Sequence, residues 1–229
     1  ENGDVAPNTD NYTYFIAGNY TKSGGTFSTS PDDGFFEFNG TADQNISGGR
    51  FSRLRISNQS ATVFIDDSTS VDYTSNNEDN PAFEIAAGGT FEASPGAVLY
   101  INGNVDIKSG GTFNDGGETH RFVGRHWIGN GDYVGTGTIR CEGNRQDFHR
   151  SHFNNLYFAN TPEQNNSWKY IQDTVNVDND LTVDCYGVLL YDNYIINETS
   201  TGTFDVTDAE PQSTRIYVRG ENNYPNGFD

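Results

Sequence analysis

The chain has 229 residues and a net charge of −19, from 32 acidic and 13 basic side chains. Such a surface repels nucleic acid, whose phosphates need clustered Lys and Arg, and no apolar stretch approaches the roughly 18 residues of a membrane span. The hydrophobic fraction is only 33%, yet aromatics reach 14%; disordered chains lack aromatics, so the sequence expects a folded protein.

Glycine is abundant, strong helix formers are scarce, and Thr, Tyr, Phe, Val and Ile are plentiful, which favours strands and turns. Residues 1–15 lack the patterns that follow and read as an N-terminal extension. There is no initiator methionine and no signal peptide, so a mature product or an excised segment is expected. From Ile16 onward one phrase recurs: Ser23-Gly-Gly-Thr-Phe27, Ala87-Gly-Gly-Thr-Phe91, Ser109-Gly-Gly-Thr-Phe113 and Ser200-Thr-Gly-Thr-Phe204. Each reads as a glycine turn feeding a strand whose aromatic residue points inward. Phe91 and Phe113 lie 22 residues apart, the length of one short coil, and regular repeats at such periods mark stacked architectures.

A longer repeat overlies the short one. Phe38 to Asn58 aligns with Cys141 to Asn160, matching Gly40 with Gly143, Gln44 with Gln146, Ile46 with Phe148, Phe51 with Phe153, Leu54 with Leu156 and Ile56 with Phe158. Upstream, Ile16-Ala-Gly-Asn19 matches Ile101-Asn-Gly-Asn104. The sequence thus predicts two homologous units, 16–100 and 101–205, followed by a C-terminal extension at 206–229. Alternation at Val63/Ile65, Val175/Val177 and Leu181/Val183 is strand period. Asp33-Gly34, Asn39-Gly40, Asn102-Gly103, Asp115-Gly116 and Asn130-Gly131 are turn signals between strands. An all-β fold with almost no helix is expected: a parallel β-helix (β-solenoid), with a β-sandwich as the alternative. The 22-residue echo favours the solenoid, with Phe91 stacked on Phe113 inside it.

These motifs resemble the repeat segments of large secreted surface proteins, especially from Bacteroidota. There a G-N-Y/W strand, a G-G-T-F turn, an F-N-G-T element, a Q-x-I-x-G element and an F-x-x-L-x-I-x-N strand recur in order. Residues 16–60 carry the resemblance best, and Val175-Asn-Val-Asp-Asn-Asp-Leu-Thr-Val183 looks like the family's V-x-V-x-x-D-L-T-V coil. The resemblance implies a right-handed parallel β-helix, export, and a role in adhesion or the cell envelope. Function then follows as an expectation: an extracellular structural protein, either a filament subunit or a segment of a cell-surface adhesin, pairing by strand addition with copies of itself or with adjacent repeats. The rival is a polysaccharide lyase or hydrolase, or a carbohydrate-binding module, on the same scaffold.

Candidate sites are sparse. Cys141 and Cys185, 44 residues apart, sit two coils apart and roughly 10 Å from one another at inter-strand spacing, so a disulfide requires an irregular coil between them; buried free thiols are slightly favoured over a bridge. Seven N-x-Ser/Thr sequons, at Asn11, Asn19, Asn39, Asn45, Asn58, Asn165 and Asn197, suit a glycosylated surface protein. Asp178, Asp180 and Asp184 form an acidic stripe suited to calcium, a hard cation wanting six to eight oxygens. His149 and His152 point to opposite faces of a strand, whereas His126 and His149 lie one coil apart and can stack, with His120 nearby as a third metal-ligand candidate. For a lyase, Asp173, Asp178 and Asp180 with Lys169 and Arg145 are the candidate groups. For sugar stacking they are Trp127, Trp168, Tyr170, Tyr186, Tyr191 and Tyr194. No nucleotide-binding or nucleophile motif is present, and no catalytic function is expected.

Overall fold

The computed structural model describes residues 13–22, 34–159, 167–191, 195–197, 204–206 and 215–219. In chain order the strands are β1 (Tyr14–Ile16), β2 (Tyr20–Thr21), β3 (Phe35–Phe38), β4 (Gln44–Phe51), β5 (Arg53–Ile56), β6 (Thr62–Tyr73), β7 (Phe83–Ile85), β8 (Thr90–Ala93) and β9 (Leu99–Gly103). The middle turns give β10 (Val105–Ile107), β11 (Thr112–Asn114), β12 (Thr119–Phe122), β13 (His126–Gly129), β14 (Asp132–Val134), β15 (Thr138–Cys141), β16 (Arg145–His149), β17 (Ser151–Phe153) and β18 (Asn155–Ala159). The last are β19 (Trp168–Ile171), β20 (Val175–Val177), β21 (Leu181–Asp184), β22 (Gly187–Tyr191), β23 (Ile195–Asn197), β24 (Phe204–Val206) and β25 (Arg215–Arg219).

The described residues contain no helix, and every described pairing is parallel. That pattern is a β-solenoid and excludes the antiparallel sandwich. Each turn of chain lays strands on three faces. The first face is a ten-stranded sheet, β1-β3-β5-β7-β10-β13-β16-β19-β22-β25. The other two share a sheet at first, because β6 is long enough to turn a corner: residues 62–65 pair with β8 and residues 69–73 pair with β9. The second face then runs β8-β11-β14 and resumes as β17-β20-β23; the third runs β9-β12-β15-β18-β21-β24.

In-register stacking turns period-2 alternation into ladders of like side chains along the axis. On the first face, Phe36, Leu54, Phe83, Val105, Trp127, Phe148, Ile171 and Leu190 sit in successive registered positions. On the third, Phe51, Val71, Ile101, Phe122, Cys141, Phe158 and Val183 do the same. On the second, Phe91 is registered with Phe113 and Phe113 with Tyr133. The rings stack at 5.2 and 5.4 Å between centroids. The glycine turn stacks too: Gly88 and Gly110 have φ of +79° and +81°, a region that favours glycine, and the Gly88 N–H donates to the Gly110 carbonyl at 2.9 Å.

The other two copies of the phrase behave differently. Residues 23–27 lie outside the described residues, and Phe204 falls on the third face, registered with Leu181. The longer repeat is also displaced. Gln44 opens β4, registered with Val63 on the second face, whereas Gln146 belongs to β16 on the first. Leu54 and Ile56 lie on the first face and Leu156 and Phe158 on the third. The two copies therefore build the same corner one face apart. In each, the Gln amide donates to two carbonyls of the turn below, Ile16 and Gly18 for Gln44 (2.8 Å each), and Phe122 and Gly124 for Gln146 (3.0 and 3.1 Å). A glycine makes room: a Cβ on Gly40 or Gly143 would lie 2.8 Å from that Gln side chain. The division at 100/101 falls inside β9, and β25 lies within the segment read as a C-terminal extension, where it adds a further rung to the first face.

The aromatic column gives a direct test. Phe113 is fully buried between Phe91 and Tyr133, and Phe→Ala in a packed core costs about 3–5 kcal/mol. Phe113→Ala should lower the unfolding free energy in denaturant melts by that amount. Phe15→Ala, at a site 67% exposed, should shift it by less than about 0.5 kcal/mol.

Candidate functional site

Strand alternation puts every second side chain of the first face on its outer surface, and that surface changes character along the axis. At one end it is a closed charge ladder: Arg55 lies between Glu37 and Glu84, at 3.3 and 3.0 Å, and the Arg53 and Arg55 guanidiniums sit 3.8 and 3.9 Å from the Phe35 ring. Farther along lie Asp106, Ile128 and His149 in register, with His126 and Asp147 beside them.

A loop covers this second region. Registered residues Phe83, Val105 and Trp127 are 22 apart, but Leu54 and Phe83 are 29 apart. Residues 74–81 take up the extra length and lie across later turns. Asn104, fully buried, is the post that holds them. Its Nδ2 donates to the Asn77 carbonyl at 2.8 Å, and its Oδ1 accepts the His126 N–H at 3.0 Å. Arg125 donates to Asn76 Oδ1 at 3.2 Å, and His126 Nε2 lies 3.2 Å from the Asn76 carbonyl. Between loop and solenoid runs a cleft of about 360 Å³ lined by Asn76, Asn102, Asn144, Arg125 and Arg145, among others. Asp147 gathers the two arginines of that lining, Arg125 at 3.3 Å and Arg145 at 3.7 Å, and accepts from Gln172 at 3.1 Å.

The histidines separate cleanly. His126 and His149 meet, with ring centroids 5.8 Å apart, and Glu78 of the loop joins them, its Oε2 3.6 Å from His149 Nε2. One ligand atom from each of these three residues lies within 4.8 Å of the others, the one such group of His, Cys, Asp or Glu among the described residues. His120 takes no part. It is buried in the interior, where Nδ1 accepts the Leu99 N–H and Nε2 donates to the Asp115 carbonyl, both at 2.9 Å. Burial pushes its pKa down, so it serves as a neutral corner brace. His152 pairs instead with Asp178 at 2.7 Å.

The acidic stripe is dispersed among separate partners. Asp178 sits in a bend and binds His152, Asp180 precedes β21, and Asp184 accepts the Tyr157 hydroxyl at 2.9 Å. The lyase candidates do not converge. Asp173 is exposed at a corner, where it accepts the Thr174 N–H. Lys169 is fully buried and donates to the Gly143 carbonyl and Gln146 Oε1. Of those candidates, Arg145 alone reaches the cleft. Among the aromatics, Trp127 is a core residue, 1% exposed, packed on Phe122 and Phe153. Trp168, Tyr170 and Tyr186 form a half-buried outer cluster, with Trp168 5.1 Å from Tyr186 and Arg145 4.7 Å from the Tyr170 ring. The side chains of Tyr191 and Tyr194 lie outside the described residues.

Of the sequons, Asn11 and Asn165 lie outside the described residues, as does the side chain of Asn197. Asn19 and Asn39 are exposed and Asn45 is half-buried. Asn58 is sealed inside a corner. Its Nδ2 donates to the Ala42 carbonyl and Gln44 Oε1, and its Oδ1 accepts the Ser60 and Ala61 N–H groups, which leaves no amide hydrogen free for a glycan. Cys141 and Cys185 are both buried and free. The residues that sequence reasoning missed are Glu78, Arg125 and Asp147. Their one signal was the lengthened spacing before Phe83, legible only once the rungs are assigned. No family model matches the chain, and no curated protein or solved structure is significantly similar to it.

The buried lysine makes a pH test. Desolvation lowers its pKa from 10.5 to about 8. Below pH 8 both folded and unfolded chains hold the proton. Between pH 8 and 10.5 the unfolded chain keeps it while the folded chain releases it, so stability rises with pH. The thiols act oppositely: burial pushes Cys141 to about 12 and Cys185 to about 11, from 9.0. Above pH 9 the unfolded chain sheds protons that the folded chain retains, and stability falls. The window for lysine alone is pH 8 to 9. Denaturant melts of the wild type should gain stability across it, and Lys169→Met should abolish the gain.

Proposed function

We propose that the chain is an extracellular structural protein, a segment of a surface adhesin or a subunit of a surface filament, whose work is mechanical: to hold a rigid rod and to extend it by strand pairing. The observation that carries this reading is the first face, ten parallel strands. At about 4.8 Å per strand they span roughly 43 Å. Parallel ladders along the axis put unpaired backbone groups at the ends, where a further strand adds with little rearrangement. β1 has a strand partner on one side among the described residues, β3. It presents Tyr14 and Phe15 at 39% and 67% exposure, an apolar rim suited to a neighbouring turn. The acidic, lysine-poor surface and the resemblance of residues 16–60 to secreted repeat segments support an exported setting.

A glycan-binding reading has its own observation: the cleft of amide and guanidinium side chains beside the Trp168, Tyr170 and Tyr186 cluster. Planar amides match sugar hydroxyls, and aromatic faces take sugar rings. On this reading the rod carries a lateral glycan contact as well as end contacts, and Trp168→Ala should abolish retention on polysaccharide affinity gels without changing the melting temperature.

Negative-stain microscopy tests the structural reading. Concentrated protein should show end-to-end rods, and Phe15→Pro, which removes a backbone donor from β1, should shorten them. Uniform single particles at every concentration, in wild type and variant alike, would rule out self-assembly through this edge.

A further inference from the structure

We propose that Glu78, His126 and His149 form a binding site for a divalent transition-metal ion, zinc fitting best, which pins the 74–81 loop onto the outer face of the solenoid. The three residues come from the loop after β6, from β13 and from β16, so the ion would staple together turns that are far apart in sequence. Their ligand atoms lie within 4.8 Å of one another, close enough to converge on one ion with small side-chain shifts.

An independent observation points to a missing partner. His126 Nδ1 and His149 Nε2 are both buried and make no hydrogen bond, two of five such side-chain atoms among the described residues. Buried polar atoms left unpaired are costly and are rare in native interiors. His126 is 7% exposed, so bulk solvent barely reaches that ring. The tautomer is set by the loop. The Asn76 carbonyl, 3.2 Å from His126 Nε2, can only accept, so the proton rests on Nε2 and the Nδ1 lone pair is free. A ring N–H donated to a backbone carbonyl is the usual support of a metal-bound histidine. Asp147 Oδ2, 3.8 Å from Nδ1, adds negative charge, partly offset by Arg125 at 3.3 Å.

Two imidazoles and one carboxylate suit zinc, which takes nitrogen and oxygen ligands in tetrahedral sites. They do not suit calcium, which wants an all-oxygen shell. The Glu78 side chain is half exposed, at 52%, so the fourth position faces solvent and is open to water or to a ligand oxygen. Three protein ligands and one open position allow exchange of the ion, in contrast to a closed structural site.

The test is calorimetric titration of chelator-treated, tag-free protein with zinc chloride, backed by the visible spectrum with cobalt. One ion per chain should bind with a micromolar or tighter dissociation constant, and calcium in tenfold excess should not compete. Zinc should protect the 74–81 loop from limited proteolysis. Glu78→Gln, on an exposed loop and harmless to the core, should weaken binding about tenfold or more, as should His149→Gln; His152→Gln, at the pair with Asp178, should leave it unchanged. No saturable binding to the wild type, or equal affinity in Glu78→Gln and His149→Gln, would overturn the site and leave Glu78 and His149 as a plain ion pair.

Discussion

Everything in this protein depends on parallel backbone pairing between successive turns. That pairing fixes the axial spacing at about 4.8 Å and puts each inward side chain over its counterpart one turn away. An inward position is therefore chosen by its two neighbours along the axis as much as by its own strand. Flat rings pile well at this spacing, which is why Phe91, Phe113 and Tyr133 form one column. Each turn contacts only its neighbours along the axis, so a chain of 33% hydrophobic content depends on these ladders being continuous.

The cost of the design falls at the corners. Where the chain leaves one face for the next, backbone groups lose their strand partners, and buried ones must be paired some other way. Side chains take over. Gln44 and Gln146 each hold two carbonyls of the turn below. Asp115 accepts from Gly117 and Gly137, and His120 spans Leu99 and Asp115. Asn58, Asn104 and Lys169 do similar work. The buried polar residues are thus structural fittings, which explains why so polar a chain can fold. It also explains why residues that look catalytic in one dimension, Lys169 above all, are unavailable for chemistry.

The outer face follows a different logic. Beyond the Glu37–Arg55–Glu84 charge ladder no stacking demands a given residue there, so the rest is free to carry function. The lengthened turn before β7 lies over it, giving the cleft and bringing Glu78 to the His126–His149 pair. A site on such a face inherits rigidity from the strands beneath it, and only its loop side remains adjustable.

The sequence by itself determined the architecture, because period-2 alternation and the 22-residue echo are direct consequences of strand pleat and coil length, both local. It marked Phe91 over Phe113 for the same reason, and left the state of the two cysteines, which the structure shows free, open. It also marked Gly40 with Gln44 and Gly143 with Gln146 as equivalent, and locally they are. Only the tertiary structure decided that the two corners stand one face apart, since the phase of a repeat around the axis depends on the summed length of every intervening turn. The same held for burial. Asn58 looks like a surface residue in its own neighbourhood, and the turns stacked above and below put it inside. Strand register alone sets His126 beside Asp147 and His149, but Glu78 joins them because a seven-residue excess in one turn reaches across to others, and no local rule in a sequence says where a loop will land.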